Sequence, residues 1–286
     1  MTATDRIEKI GHSKIHHGPL NDRVYLMRLD PRDMPEIVPR LMRLAHRNEY
    51  GKILAKVPHR AAADFRSNGF VCEARIPAFY RGGEDALFLA LFPDAARRKP
   101  LHRSDIERSR KRLQTVGPKS ASEPIASEPP VRVCWPGDIP EMRRLYRRVF
   151  QSYPFPIYDR KYLAATMNAD VRYYGVRDER DRMVALASCE MDLKNRAVEM
   201  TDFAVLPAQR GRGISGFLLR AMEADMHRRG MRTAFTIART RSPGINIVFR
   251  RRGYRRAGML VNNTHIAGDI ESMWVWHKRM PGADSD

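Results

Sequence analysis

The chain has 286 residues, 43% hydrophobic and 30% charged, which describes one large or two ordinary globular domains and excludes fibrous, collagen-like and wholly disordered readings. No stretch approaches the roughly 20 uninterrupted apolar residues of a membrane helix, and Met1–Lys14 lacks the apolar core of a signal peptide, so a cytoplasmic protein is expected. Basic residues outnumber acidic ones 52 to 33, a net charge of +19 carried by 42 Arg and 10 Lys, and this favours an anionic partner: a nucleic acid, a membrane surface or a phosphorylated cofactor.

In chain order, hydrophobic periodicity predicts a strand at Val24–Leu29, a helix at Met34–Arg47, a strand at Lys52–Val57, a helix at Arg60–Ser67, and strands at Val71–Pro77 and Ala86–Phe92. His12, His16 and His17 lie between Gly11 and Gly18-Pro19 and read as a loop. No further Cys, His or acid stands at ligand spacing, so no metal is expected. Cys72, Cys134 and Cys189 are odd in number and far apart, which argues against a disulfide framework. From Pro93 to Pro130 a charged run gives way to a Pro/Ser/Glu stretch with no apolar period. This segment is expected to be a linker, with an exposed helix at Arg103–Leu113, dividing the chain into 1–92 and 131–286.

The second part alternates strands at Val171–Val176, Val184–Met191, Val198–Val205, Arg232–Ala238, Ala257–Val261 and Met273–Trp276 with helices at Pro140–Gln151, Ile214–Arg229 and Pro243–Arg251, the pattern of a mixed α/β sheet. Phe65 to Phe70 and Phe249 to Tyr254 share one design: an aromatic on the last helical turn, a glycine as helix stop and an aromatic opening the next strand. The first part is therefore expected to be a degenerate half-copy of the end of the second.

The most specific chemical signal is the turn Val205-Leu206-Pro207-Ala208-Gln209-Arg210-Gly211-Arg212-Gly213-Ile214-Ser215-Gly216. A strand stops at a proline, two arginines alternate with two glycines, and an amphipathic helix begins. Glycines let successive backbone N–H groups converge at the positive end of a helix dipole, which makes a cradle for a pyrophosphate. The Lys-Ser/Thr of a P-loop is missing, and Thr236 stands where a dinucleotide fold wants an acid. From Gln209 to Arg256 there are 13 Arg against two acids, Glu223 and Asp225, so the excess charge is concentrated near this turn. On the preceding strand, alternation puts Glu199 and Asp202 on opposite faces. Either carboxylate is a candidate general base.

The run Arg210 to Ser215 resembles the acetyl-CoA-binding motif of the GNAT N-acetyltransferase superfamily, with Ser215 in place of the last small residue. The resemblance implies an α/β architecture: a C-terminal GNAT acyltransferase fold, a mixed central sheet flanked by helices, with the smaller N-terminal α/β domain before it. It implies that Phe203, Ala204, Val205 and Gln209 to Ser215 (Arg210, Gly211, Arg212, Gly213, Ile214) hold acetyl-CoA, with backbone N–H groups at Ala204 or Val205 polarising the thioester. Asn246 and Phe249 are implied on the cofactor side, Glu199 as general base with Asp202 second, and Tyr254 as the nearest phenol for the departing thiolate, since Phe249 stands where many members carry tyrosine.

Several segments are similar to the beta-lysine N6-acetyltransferase family: Ile7-Glu8-Lys9-Ile10, His17 to Tyr25, Glu199 to Ala204, Thr236-Ile237-Ala238-Arg239 and Val261 to Met273. The similarity includes the N-terminal part that generic GNAT enzymes lack, while Trp274 and His277 depart from it. It implies a small-molecule amine, beta-lysine, whose two ammonium groups and carboxylate would be read by Asn262, Asn263, Thr264, Glu271, Asn21, Asp22 and Arg23. Acetylation of another diamine, an amino acid or a protein lysine, or a non-catalytic acyl-CoA or nucleic-acid-binding module, are the competing readings. No nucleic-acid or membrane partner is expected, and the sequence admits a homodimer.

Overall fold

A computed structural model describes residues 5–117 and 129–280. The first part runs β1 (Arg6–Ile10), β2 (Ser13–Gly18), β3 (Arg23–Arg28), α1 (Ile37–Arg47), β4 (Lys52–Pro58), α2 (Ala62–Ser67), β5 (Val71–Tyr80) and β6 (Glu84–Leu91). After α3 (Arg103–Gln114) come β7 (Val131–Val133), α4 (Ile139–Val149), α5 (Arg160–Met167), β8 (Val171–Arg177), β9 (Met183–Asp192), β10 (Ala197–Val205), α6 (Ile214–Arg228), β11 (Thr233–Arg239), α7 (Pro243–Arg251), β12 (Arg255–Ile266) and β13 (Asp269–Arg279).

All strands join one sheet in the order β1-β2-β3-β4-β6-β5-β12-β13-β11-β10-β9-β8-β7. Read outward from the β5/β12 contact, the two sides repeat each other. β3–α1–β4 and β10–α6–β11 are the parallel units, and β6-β5 and β13-β12 are the antiparallel pairs beside them. The connections match in detail. Phe65 and Phe70 meet edge to face with centroids 5.2 Å apart, Phe249 and Tyr254 at 5.0 Å, and Gly69 and Gly253 both adopt the left-handed backbone that ends the helix, at φ 83° and 81°.

Each helix buries one stripe. Ile37, Leu41 and Ala45 of α1 pack on Ile53 and Leu89, and Leu218, Met222 and Met226 of α6 pack on Val198, Met200 and Ala234. A third cluster spans the halves, with Leu54, Ala74 and Phe88 against Phe235, Leu260 and Val275. The face of the sheet that carries no helix in the first half is thus closed by the second half. Among the described residues no helix is long and apolar enough to cross a membrane.

Two expectations change. His16 and His17 sit on strand β2, nearly inaccessible to solvent, with His17 bonded to Glu8 at 2.8 Å and Tyr50 at 3.2 Å. Their polarity hides a strand whose Ile15 enters the core. The expected linker is folded over 95–114: the Arg97 side chain is buried under the carbonyls of Asn21, Asp22 and Asn262, and α3 packs beside α7 with Leu113 in the core. The Pro/Ser/Glu stretch 118–128 lies outside the described residues.

Candidate active site

A cavity of about 470 Å³ opens between the halves, lined by Arg23, Tyr25 and Lys56 from one side and Glu190, Glu199 and Arg239 from the other. Its position follows from the strand pairing. β10 and β11 are hydrogen-bonded in parallel only at Ala197–Glu199 and Thr233–Phe235, then separate, although both strands continue for several residues. The gap leaves backbone groups of β10 without a strand partner. Leu206 donates its N–H to Val184 on β9, so by alternation the N–H and C=O of Val205 face the opened side, where Arg210 Nε donates to the Val205 carbonyl at 3.3 Å.

At the mouth of the gap, Gly211 (φ 80°) and Gly213 (φ 76°) turn the chain into α6, whose N-cap is Gly213, with no side chain capping the helix. The Ile214 and Ser215 N–H groups therefore have no intrahelical acceptor, while Gly216 N–H donates to the Gly213 carbonyl at 2.8 Å. Arg210 and Arg212 flank Gly211 just before this helix start, and Arg212 donates to Gln209 Oε1 at 2.6 Å. This arrangement fits a pyrophosphate. Ser215 stands in the first turn of α6, Phe203 and Phe249 meet edge to face in the cavity wall at 5.5 Å, and Ala204 is buried in the core beside α4.

The acid side is denser than the sequence shows. Glu199 lies directly opposite Glu190 in the β10–β9 ladder, so both carboxylates leave the same face. Loss of hydration, then the charge of Glu190, push Glu199 up to about 8, against the opposing pull of Lys56 and the Ile237 N–H. Burial and the charge of Asp202 raise Glu190 to about 7. The expectation that Asp202 points away from Glu199 fails. The ladder slips by one residue between Thr201 and Ala204, Asp202 adopts φ 56°, and this bulge turns its side chain into the same cavity. There it accepts hydrogen bonds from Ser188 Oγ, at 2.6 Å, and from the Tyr153 hydroxyl.

Other expected residues are elsewhere. Tyr254 is 3% exposed in the core between α6 and α7 and does not line the cavity, so it cannot serve the leaving thiolate there. Asn246 spends its whole amide on structure: Nδ2 donates to Arg239 and Ser242 carbonyls and Oδ1 accepts from Trp276 Nε1. Asn262 likewise binds the carbonyls of Arg97 and Lys99 and the Leu101 N–H. Glu271 is a bidentate acceptor for Arg239, Asn21 donates to Asp5 and accepts from His265 N–H, and Asp22 pairs with Arg97 and accepts from Gly51 N–H. Of the seven residues expected around the acceptor, Arg23, Asn263 and Thr264 line the cavity.

The Arg-rich run is also dispersed. Arg228 and Arg229 bond Asp225, Arg252 bonds Glu223 and Arg250 reaches the Val116 carbonyl, so they form no single anion-binding footprint with Arg210 and Arg212. Glu190, Lys56, Tyr25 and Tyr153 were not foreseen as site residues, because the pairing register and the packing of the halves bring them there.

A family model for the acetyltransferase (GNAT) family matches residues 139–254. The chain is 36% identical over 274 residues to the beta-lysine N(6)-acetyltransferase of Methanococcus maripaludis, covering 96% of this chain and 98% of that one. It is 30% identical to the protein of the same name from Methanosarcina mazei, over 84% of this chain and 96% of that one, and 28% identical to the N-acetyltransferase YodP of Bacillus subtilis, over 93% and 95%. With the parted parallel strands and the glycine turn in front of α6, this shows that the chain belongs to the beta-lysine N(6)-acetyltransferase family of GNAT acetyltransferases.

Proposed function

We propose that this acetyl-CoA-dependent enzyme acetylates the N6 amine of beta-lysine, by direct attack of the amine on the thioester. The observation that carries the reading is Glu199: a buried carboxylate held near pKa 8 on the wall of the cavity, beside the gap where β10 and β11 part. A base with that affinity for protons is matched to an alkylammonium at neutral pH.

Acetyl-CoA supplies the activated acyl group and a thiol leaving group. The protein's own residues do the rest. The α6 N-terminus, with Arg210 and Arg212, would hold the pyrophosphate, and the Val205 N–H faces the side on which a thioester carbonyl is polarised. Glu199 takes the proton of the attacking amine. Asp202, fastened by Ser188 and Tyr153, stands as a second carboxyl group near the incoming ammonium. No tyrosine replaces Phe249 at the thiolate, and a thiol of pKa near 8.5 leaves without one. We read the first half as a diverged copy of the catalytic sheet. Its β3–α1 turn carries Asp30 and Asp33 instead of glycines, so it forms a cavity wall and not a second phosphate site. A cytoplasmic location, with acetyl-CoA at hand, belongs to the same reading.

The test is thiol release from acetyl-CoA across a panel of beta-lysine, lysine, 1,5-diaminopentane and a lysine peptide. Preference for beta-lysine supports the proposal. Preference for the peptide overturns it.

A further inference from the structure

Arg23 differs from the other buried arginines. Buried Arg97, and Arg177 and Arg239, which are only partly buried, each have a carboxylate partner, at Asp22, Asp138 and Glu271. Arg23 is 3% exposed, lines the cavity, and no carboxylate bonds it among the described residues. Both of its bonds leave from Nη1, to the Asn263 carbonyl and to Thr264 Oγ1 at 3.2 Å, while Nε has no partner. Its guanidinium lies over the Tyr25 ring, 5.3 Å from the centroid. The plane is therefore fixed, and the Nε/Nη2 edge, the one that grips a carboxylate with two parallel bonds, is left without protein acceptors. Burial of such a cation is costly without a counter-charge. Beside it, Asn263 is 2% exposed, its Nδ2 is bound to Thr264 Oγ1 and its Oδ1 is unpaired. One strand from each half thus contributes to the lining of one cavity a residue with a buried, unsatisfied polar atom, a donor in Arg23 and an acceptor in Asn263.

We propose that Arg23 and Asn263 form a head-group subsite, Arg23 taking a carboxylate and Asn263 Oδ1 the neighbouring ammonium of a β-amino acid, with the distal amine directed to the acids at Glu199. The subsite rests on the acceptor class proposed above and adds its orientation. Through it the N-terminal half selects acceptors that carry a carboxylate.

The test uses the full chain and two half-substrates, 3-aminobutanoate, which has the head and no distal amine, and 1,5-diaminopentane, which has the amines and no carboxylate. Calorimetry should show 3-aminobutanoate binding to the wild type, weakened about 10- to 100-fold in Arg23→Met, as expected for lost charged hydrogen bonds. Arg23→Lys should recover part of it. Asn263→Leu should weaken 3-aminobutanoate and leave butanoate unchanged. In transfer assays Arg23→Met should raise KM for beta-lysine by a similar factor and leave that for 1,5-diaminopentane unmoved. Equal binding by wild type and Arg23→Met, or no saturable binding to the wild type, overturns the subsite. Should Arg23→Met not fold, Arg23→Lys and the butanoate comparison decide it. Retained 3-aminobutanoate binding without transfer to beta-lysine would overturn the acceptor assignment alone. Transfer to beta-lysine with its KM unmoved in Arg23→Met would overturn the subsite alone.

Discussion

Glu199 and Glu190 face each other across the β10–β9 ladder, two carboxylates on one wall of the cavity between the halves. Burial first, and then the charge of Glu190, make Glu199 hold its proton more tightly, and this sets the pH at which the proposed base becomes available. Removing one charge should ease ionisation of the other. Glu190→Gln is expected to move the acid limb of the pH profile of kcat/KM for beta-lysine to lower pH by about one pH unit. Glu199→Gln should lower kcat by about 10² to 10⁴ with little change in KM for acetyl-CoA. A Glu199→Gln enzyme with near-normal turnover would move the base elsewhere.

The same shift has a thermodynamic side. The pKa of Glu199 is raised from 4.5 to about 8 on folding, so between those values the folded state binds more protons than the unfolded one, and stability falls as pH rises through the window. Glu199→Gln removes that dependence. Its Tm relative to the wild type should climb from pH 5 to pH 9, by roughly 2–4 °C for each kcal/mol relieved. A constant difference across this range would contradict the shift.

At the glycine turn before α6, the proposed phosphate cradle, the strain is local. Gly213 has φ 76°, and a Cβ there would sit at ordinary contact, 3.7 Å from the Phe217 ring, so alanine suffers from backbone conformation and not from a clash. The left-handed backbone costs about 1–2 kcal/mol for alanine. If the turn relaxes instead, its N–H groups leave the cradle. Gly213→Ala should raise KM for acetyl-CoA about tenfold with the acceptor KM unmoved, as steady-state kinetics with each substrate varied will show.

That turn was legible in the sequence because its signal is local: two glycines, a proline stop and a helix stripe within a dozen residues. The repeat between Phe65–Phe70 and Phe249–Tyr254 was legible for the same reason, and in the structure it extends to a shared strand order on both sides of the β5/β12 contact. Residues whose role depends on remote partners were not. Asn246 and Asn262 looked like ligand amides because nothing nearby in sequence shows Trp276 or the Arg97–Leu101 segment. Glu190 was invisible because a register is a relation between strands, and the face of Asp202 was misjudged because one bulge resets the alternation.

The halves meet where β5 passes β12, paired at Ala74 and Gly258. A Cβ on Gly258 would lie 2.6 Å from the Ala74 Cα, with the Glu73 carbonyl closer still, and neither is a flexible chain end. Gly258→Ala should therefore part the strands. The expected result is a raised acceptor KM and a lower Tm, with acetyl-CoA binding by calorimetry retained because the α6 turn is remote from the junction.

Beside that junction, Lys52 on β4 is fully buried and donates to Glu73 Oε2 at 2.8 Å and to the Val261 carbonyl at 2.6 Å, while Glu73 Oε1 accepts the Val261 N–H at 2.8 Å. One ion pair thus ties three strands across the two halves. Burial holds Lys52 down at about 8, with the charge of Glu73 opposing the fall. Glu73→Ala removes the counter-charge and leaves the Val261 N–H without its acceptor, and a buried pair broken on one side costs about 3–5 kcal/mol. Lys52→Met should be similarly harmful, since it strands the Glu73 carboxylate. The double variant Lys52→Met/Glu73→Leu abandons both charges together and should be more stable than either single one, measured by urea unfolding. The carboxylate and ammonium are then coupled in the double-mutant cycle, and an additive cycle would show that the pair does not hold the halves together.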